Sequence, residues 1–164
     1  MALPRLDELT AATEAAIEAV DPTAYLLADH DWLRSLIEIY RGLAVVEAER
    51  GRVKVDAVEI LRLLDIHIRK EEEAYFPAIE GVMEELGQGS TFDMYGEHDA
   101  IRIRFDELLT ALEKGSGIGG AYGALARSLL IHFENEEELI FAEAPEHLSQ
   151  DTRAEILAKF ATIV

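Results

Sequence analysis

Apolar side chains recur every third or fourth residue along most of this chain, the spacing that gathers them on one face of an α-helix. Residues 5–20 carry Leu6, Leu9, Ala16, Ile17 and Val20 on one side and predict a first amphipathic helix. Asp21-Pro22 ends it and starts another, with Asp21 as N-cap and Pro22 at the first helical position. In this second helix Leu26, His30, Leu33, Ile37, Tyr40 and Ala44 share a stripe, and the helix runs to Gly51. Asp56 is placed to cap the next helix, whose inner face reads Ile60, Leu64, His67, Glu71, Tyr75, Ala78 and Val82. Pro77 has no N–H to give and should kink that helix or end it before a short continuation. After a loop at residues 87–90 the stripe resumes as Met94, His98, Ile101 or Arg102, Phe105, Leu108 and Leu112. The glycine-rich linker 115–120 leads into a fourth long helix, with Leu129, His132, Glu136 and Leu139 on one face, ending near Ala144-Pro145. Ser149 then caps a last short helix over residues 150–162. The pattern predicts an all-α fold: an up-down-up-down four-helix bundle with additional short N- and C-terminal helices. It forms one domain over residues 1–164, the core bundle lying at about 22–148.

Two of these stripes are copies of each other. Residues 62–76, RLLDIHIRKEEEAYF, reappear 65 positions later as RSLLIHFENEEELIF, with 8 of 15 residues identical. Each copy has a Glu four residues after a His, so His67 and Glu71, and likewise His132 and Glu136, stand on one helix face with Cβ atoms about 5–6 Å apart. The other two helices repeat as well: His30 in HDWLR and His98 in HDAIR lie 68 positions apart. Two helix pairs, each with one His and then one His-x-x-x-Glu, imply a pseudo-twofold axis with a site on it.

Composition narrows what the site can do. With 164 residues, 49% of them hydrophobic, the chain can build a sizeable core. No cysteine is present, which removes disulfides, thiolate sites and iron–sulfur clusters together. A net charge of −18 repels phosphate backbones and anionic lipid, so neither nucleic acid nor a membrane is an expected partner. Acids at Asp7, Glu8, Glu14 and Glu18 interrupt any signal-peptide core, and a cytoplasmic location is expected.

The inward-facing polar set is His30, His67, Glu71, His98, His132 and Glu136, which includes four of the five histidines, one per long helix. A buried carboxylate needs a cation or strong donors, and imidazole with carboxylate suits iron, manganese or zinc. A lone histidine on an apolar stripe is more often a core residue, but four, two of them with Glu at one offset, point to a metal site. Two carboxylates on opposite helices favour two ions over one. A ferritin-like site would need Glu three residues before His, and the residues at that offset are Leu27, Leu64, Tyr95, Leu129 and Ala144. His147 follows Pro145 without a repeat partner and is expected to lie outside the site. Glu72, Glu73, Glu137 and Glu138 fall off the ligand stripe and read mostly as solvated face. Asp31, Asp99, Arg34 and Arg102 flank the histidines, either supporting the ligands from behind or forming surface ion pairs. Tyr95 faces the same way as His98, to hydrogen-bond a bound oxygen species or to pack.

The order His, His-x-x-x-Glu, His, His-x-x-x-Glu on a four-helix bundle resembles the hemerythrin-like (HHE cation-binding) family. The resemblance covers about residues 22–148 and implies a non-haem di-iron centre, oxo- or hydroxo-bridged. By it Glu71 and Glu136 bridge, His30 and His67 hold one iron, and His98 and His132 hold the other. It also implies dioxygen, nitric oxide or peroxide as the small-molecule ligand and a separate electron donor. Oxygen carriers of the family have a further histidine one turn after the third-helix histidine. Here that residue is Arg102, whose guanidinium stays protonated and cannot ligate a metal. The implied role is therefore binding or sensing of these molecules, or peroxide detoxification, rather than bulk transport. An iron-handling protein without redox turnover is the alternative.

Overall fold

The computed structural model describes residues 21–43, 46–87 and 91–164, and the described residues are almost entirely helical. The helix expected at residues 5–20 lies outside them. Helix α1 spans Pro22–Leu43. Asp21 caps it as its sequence predicts, its carboxylate accepting from the N–H groups of Thr23 at 2.9 Å and Ala24 at 3.0 Å. α1 does not continue to Gly51, since Val46 is already extended (φ −85°, ψ 116°). A 3₁₀ turn at Glu47–Glu49 leads into α2, Arg50–Lys70. Asp56 is thus inside α2 rather than at its cap, because Val53 and Ala57 are buried and carry the apolar stripe one turn further back. Its carboxylate instead accepts the Tyr40 phenol proton at 2.7 Å.

Pro77 does not break the chain into two separate helices. A π-helical turn, Glu71–Tyr75, joins α2 to α3, Phe76–Leu86, and the Phe76 N–H donates to the Glu71 carbonyl. One extra residue in the turn shifts the inward face by one position. Ile79 and Met83 are buried beyond it, where the uninterrupted period predicts Ala78 and Val82. α4 spans Phe92–Lys114, with Ile101 and not Arg102 inward. Gly115 and Gly117, at φ +70° and +71°, take the left-handed conformations that turn the chain into α5, Ile118–Leu139. α5 ends before Ala144-Pro145, which form a separate 3₁₀ turn. α6, Gln150–Phe160, is capped by Ser149, whose hydroxyl accepts from the Thr152 N–H at 3.1 Å.

Contacts among the long helices run α1–α2, α2–α4, α4–α5 and α5–α1, so each packs against two others. Two apolar clusters fill the interior. One, around Leu33, Leu64, Ile101, Phe105, Leu129 and Phe133, draws on all four long helices. The other, around Leu26, Tyr75, Phe76, Ile79, Phe141 and Phe160, is completed by α3 and α6. Along α1 the order is Leu26, His30, Leu33, and along α2 and the π-helical turn after it Leu64, His67, Glu71, Tyr75, so a polar layer separates the two clusters. Among the described residues no helix is long and apolar enough to cross a membrane.

Candidate metal centre

The polar layer consists of the six residues singled out by the repeat. His30, Glu71, His98 and Glu136 are fully inaccessible, and His67 and His132 are 2% exposed. Their ligand atoms form two overlapping groups, His30, His67, Glu71, Glu136 and Glu71, His98, His132, Glu136, each with all its atoms within 4.8 Å of one another. Both carboxylates belong to both groups. Glu71 Oε1 lies 3.0 Å from His67 Nε2 and 3.9 Å from His30 Nε2, while its Oε2 lies 3.3 Å from His98 Nε2. Glu136 Oε2 lies 3.2 Å from His30 Nε2 and 3.3 Å from His132 Nε2, with Oε1 3.8 Å from His98 Nε2. A carboxylate that faces imidazoles on both sides is placed to be shared between two ions.

The backbone makes the same five-residue hydrogen bond after both glutamates. The Glu71 carbonyl accepts from Phe76, five residues on, and the Glu136 carbonyl accepts from Phe141, also five residues on, at 2.8 Å. In the first repeat the helix continues as α3; in the second it ends. Ile140, the counterpart of Tyr75, is buried and Leu139 is 46% exposed, so the inner stripe continues from Glu136 by the four-residue step to Ile140 and not by the three-residue step to Leu139.

Behind the imidazoles stands a ring of carboxylates. His67 Nδ1 meets Asp29 at 3.1 Å, His98 Nδ1 meets Glu72 at 2.8 Å, His132 Nδ1 meets Glu97 at 2.9 Å, and His30 Nδ1 meets Glu137 at 2.9 Å. Helix α1, the π-helical turn after α2, α4 and α5 thus each lend a carboxylate to a histidine on the next long helix, around the full circuit of the bundle. A carboxylate acceptor places the proton on Nδ1 and leaves the Nε2 lone pair pointing inward, the tautomer a metal requires. His98 Nε2 and His132 Nε2 face each other at 3.2 Å, and without a metal a proton must lie between them. A cation resolves that contact.

Arg34 binds Glu137 at 2.8 Å, and Arg102 reaches Glu72 at 3.5 Å while also holding Asp65 and Asp99. Both arginines therefore support the carboxylate ring from outside. Asp31 and Asp99, 83% and 78% exposed, touch these arginines and not the imidazoles. Glu73 and Glu138 are exposed, as expected of a solvated face, but Glu72 and Glu137 are half-buried. Sequence periodicity missed that role, and missed Asp29, because the partner imidazoles sit on neighbouring helices. The signal that was available is the repeat itself: Glu72 and Glu137 share its 65-residue offset, and Asp29 and Glu97 share the 68-residue offset of His30 and His98. Tyr95 directs its phenol at the Glu72 carbonyl, 3.5 Å away, and packs edge-on to Phe76. His147 is exposed in the 3₁₀ turn, away from the cluster.

Aromatic rings wall the layer. Phe133 stacks on His30 with centroids 4.2 Å apart, and Phe76 lies parallel to His98 at 5.9 Å. Tyr75, fully buried, shares its hydroxyl with Thr23 at 2.6 Å. Burial and the charges of Glu71 and Glu136 together push its phenol up to about 12. Burial alone would depress His67 and His98, but their carboxylate neighbours outweigh it and push them up to about 10 and about 11. Burial would conversely raise Glu71, yet the positive charges of His67 and His98 close beside it hold it well below the usual carboxylate range.

Even so, His30 Nε2, His67 Nε2 and all four oxygens of Glu71 and Glu136 are buried without a hydrogen bond of acceptable geometry. Six such atoms in one layer would be a heavy penalty if nothing bound them. They fit a metal site. No match was found among curated proteins or solved structures. Residues 21–144 match the hemerythrin HHE cation binding domain, and the chain belongs to that family of cation-binding helical proteins.

Proposed function

We propose that this chain is a one-domain, up-down-up-down four-helix bundle that binds two iron ions on its pseudo-twofold axis. Glu71 and Glu136 are shared between the ions, His30 and His67 complete one, and His98 and His132 complete the other. The observation that carries this reading is a pair of fully buried carboxylates whose four oxygens lack a hydrogen bond and which both belong to each of the two His/Glu groups. A di-iron pair supplies one-electron steps and open positions for a small ligand, here dioxygen, nitric oxide or hydrogen peroxide.

The protein's own part is positional. Asp29, Glu72, Glu97 and Glu137 orient the imidazoles, Arg34 and Arg102 hold two of those carboxylates, and Phe76, Phe133 and Phe141 keep bulk water from the layer. Arg102 occupies the position of the carriers' extra histidine, but its guanidinium faces Asp65, Glu72 and Asp99. With four protein ligands per ion, the centre suits binding, sensing or peroxide removal better than storage of a long-lived oxygen adduct.

The test is metal analysis of the purified protein, its near-ultraviolet spectrum, and rapid mixing of the reduced form with each of the three ligands. Two irons per chain, the absorption of a bridged ferric pair, and a prompt reaction are expected. One ion per chain would defeat the shared-carboxylate reading. Two irons inert to all three ligands would instead make the protein an iron handler.

A further inference from the structure

On the Leu33 side of the polar layer the bundle interior contains an apolar cavity of about 50 Å³. None of the six metal-facing residues lines it. Its wall starts one helical turn from them, at Leu33 and Leu129, and continues along the axis to Tyr40 and Val53. From Leu33 to Tyr40 is seven residues, about 10 Å at the helical rise of 1.5 Å per residue. We propose that this cavity is a second ligand site, which holds a small uncharged molecule of the dioxygen or nitric oxide class beside the metal layer. The proposal rests on the reading of the centre given above for its biological ligand, though not for the site's existence.

Size and chemistry select this occupant. On the same measure about 10–15 Å³ admits one water, so volume does not exclude water from 50 Å³; the lack of partners does. A buried water needs two to four polar partners. The wall contains only aliphatic and aromatic side chains, and its two hydroxyls are committed elsewhere. Tyr40 donates to Asp56 at 2.7 Å, and Tyr122 donates to the Ile37 carbonyl. Most of the remaining wall is buried, with Leu33 2%, Leu108 3% and Leu129 3% exposed, while Ile60 and Ala126 are half-buried. Hydrogen peroxide, which carries two donors and several lone pairs, would lose its hydrogen bonds on entering. A diatomic gas loses almost none. The cavity therefore separates the three ligands the metal centre admits, favouring dioxygen and nitric oxide.

The test uses the full chain loaded with zinc, so that iron chemistry plays no part. Leu, Ile and Val methyl resonances are followed under xenon and then under dioxygen pressure. Xenon should shift the methyls of Leu33, Leu108, Leu125 and Leu129 in a saturable way. Paramagnetic dioxygen should relax them more than the methyls of Ile79 and Ile156, which are equally buried at the other end of the bundle. Ala126→Leu, which fills the cavity from α5, should abolish both effects; if that variant does not fold, Ala57→Val tests the same wall from α2. Shifts that rise linearly with pressure, or that are no larger at the cavity than at Ile79 and Ile156, overturn the proposal. Saturable xenon binding in a protein whose iron form ignores dioxygen would leave the cavity standing and defeat only the reading of the metal centre.

Discussion

Replacing Glu72 with glutamine removes one negative charge from behind His98, and metal affinity should register it. The Glu72 carboxylate lies 2.8 Å from His98 Nδ1 and is only 21% exposed, with Arg102 on its far side. Burial raises its pKa, but the hydrogen bonds and charges of His98 and Arg102 prevail and hold it below the ordinary carboxylate value, so it is ionised near neutral pH. A glutamine oxygen still accepts the Nδ1 proton, so ring orientation survives while the electron donation of the anion is lost. Losing a partner of this kind weakens metal binding about 10–100-fold, roughly 1.4–2.8 kcal/mol. Glu72→Gln should fall toward the lower end of that range and Glu72→Ala toward the upper. Asp99→Asn is the control. Asp99 is 78% exposed, touches Arg102 at 3.4 Å and does not reach the imidazole, so metal affinity should not change. The assay is competition for metal against a chromophoric chelator at fixed pH, with helical circular dichroism to show that each variant is folded. If Glu72→Gln binds metal as the unsubstituted chain does while Asp99→Asn binds it more weakly, the carboxylate ring has been misread.

Glu71→Ala and Glu136→Ala should each lose both ions after dialysis, whereas His30→Ala should weaken mainly one; release of a single ion from Glu71→Ala would make that carboxylate a terminal ligand. The metal-free protein should show a bell-shaped thermal stability. Glu71, lowered in the fold, stabilises above its ordinary value of 4.5 and ceases to as pH falls. His67 and His98, raised in the fold, stabilise fully below 6.5, and that contribution drains away as pH climbs to about 10 and about 11. Calorimetry should therefore find the highest midpoint between pH 4.5 and 6.5 and a fall on the alkaline side. In the metal-loaded protein the ion replaces those protons, and the fall between about pH 7 and 9 should vanish.

Which residues face the interior was legible in the chain because helical period and internal repeat are both one-dimensional. His67 and Glu71 share a face through spacing alone, and the 65- and 68-residue offsets alone imply two equivalent halves. Three things were not legible. The register beyond Glu71 depends on a turn whose hydrogen bond spans five residues instead of four, and so on Ile79 and Met83 being buried by the packing of α3 and α6. The carboxylate ring joins each histidine to a residue on a different helix, as with Asp29 and His67, 38 positions apart, a proximity only the assembled bundle creates. The apolar cavity arises where side chains from four helices fail to fill the space between them, and no stripe on any one helix records that. Local spacing thus determines what a helix presents, whereas the neighbours across the gap decide what that side chain can do.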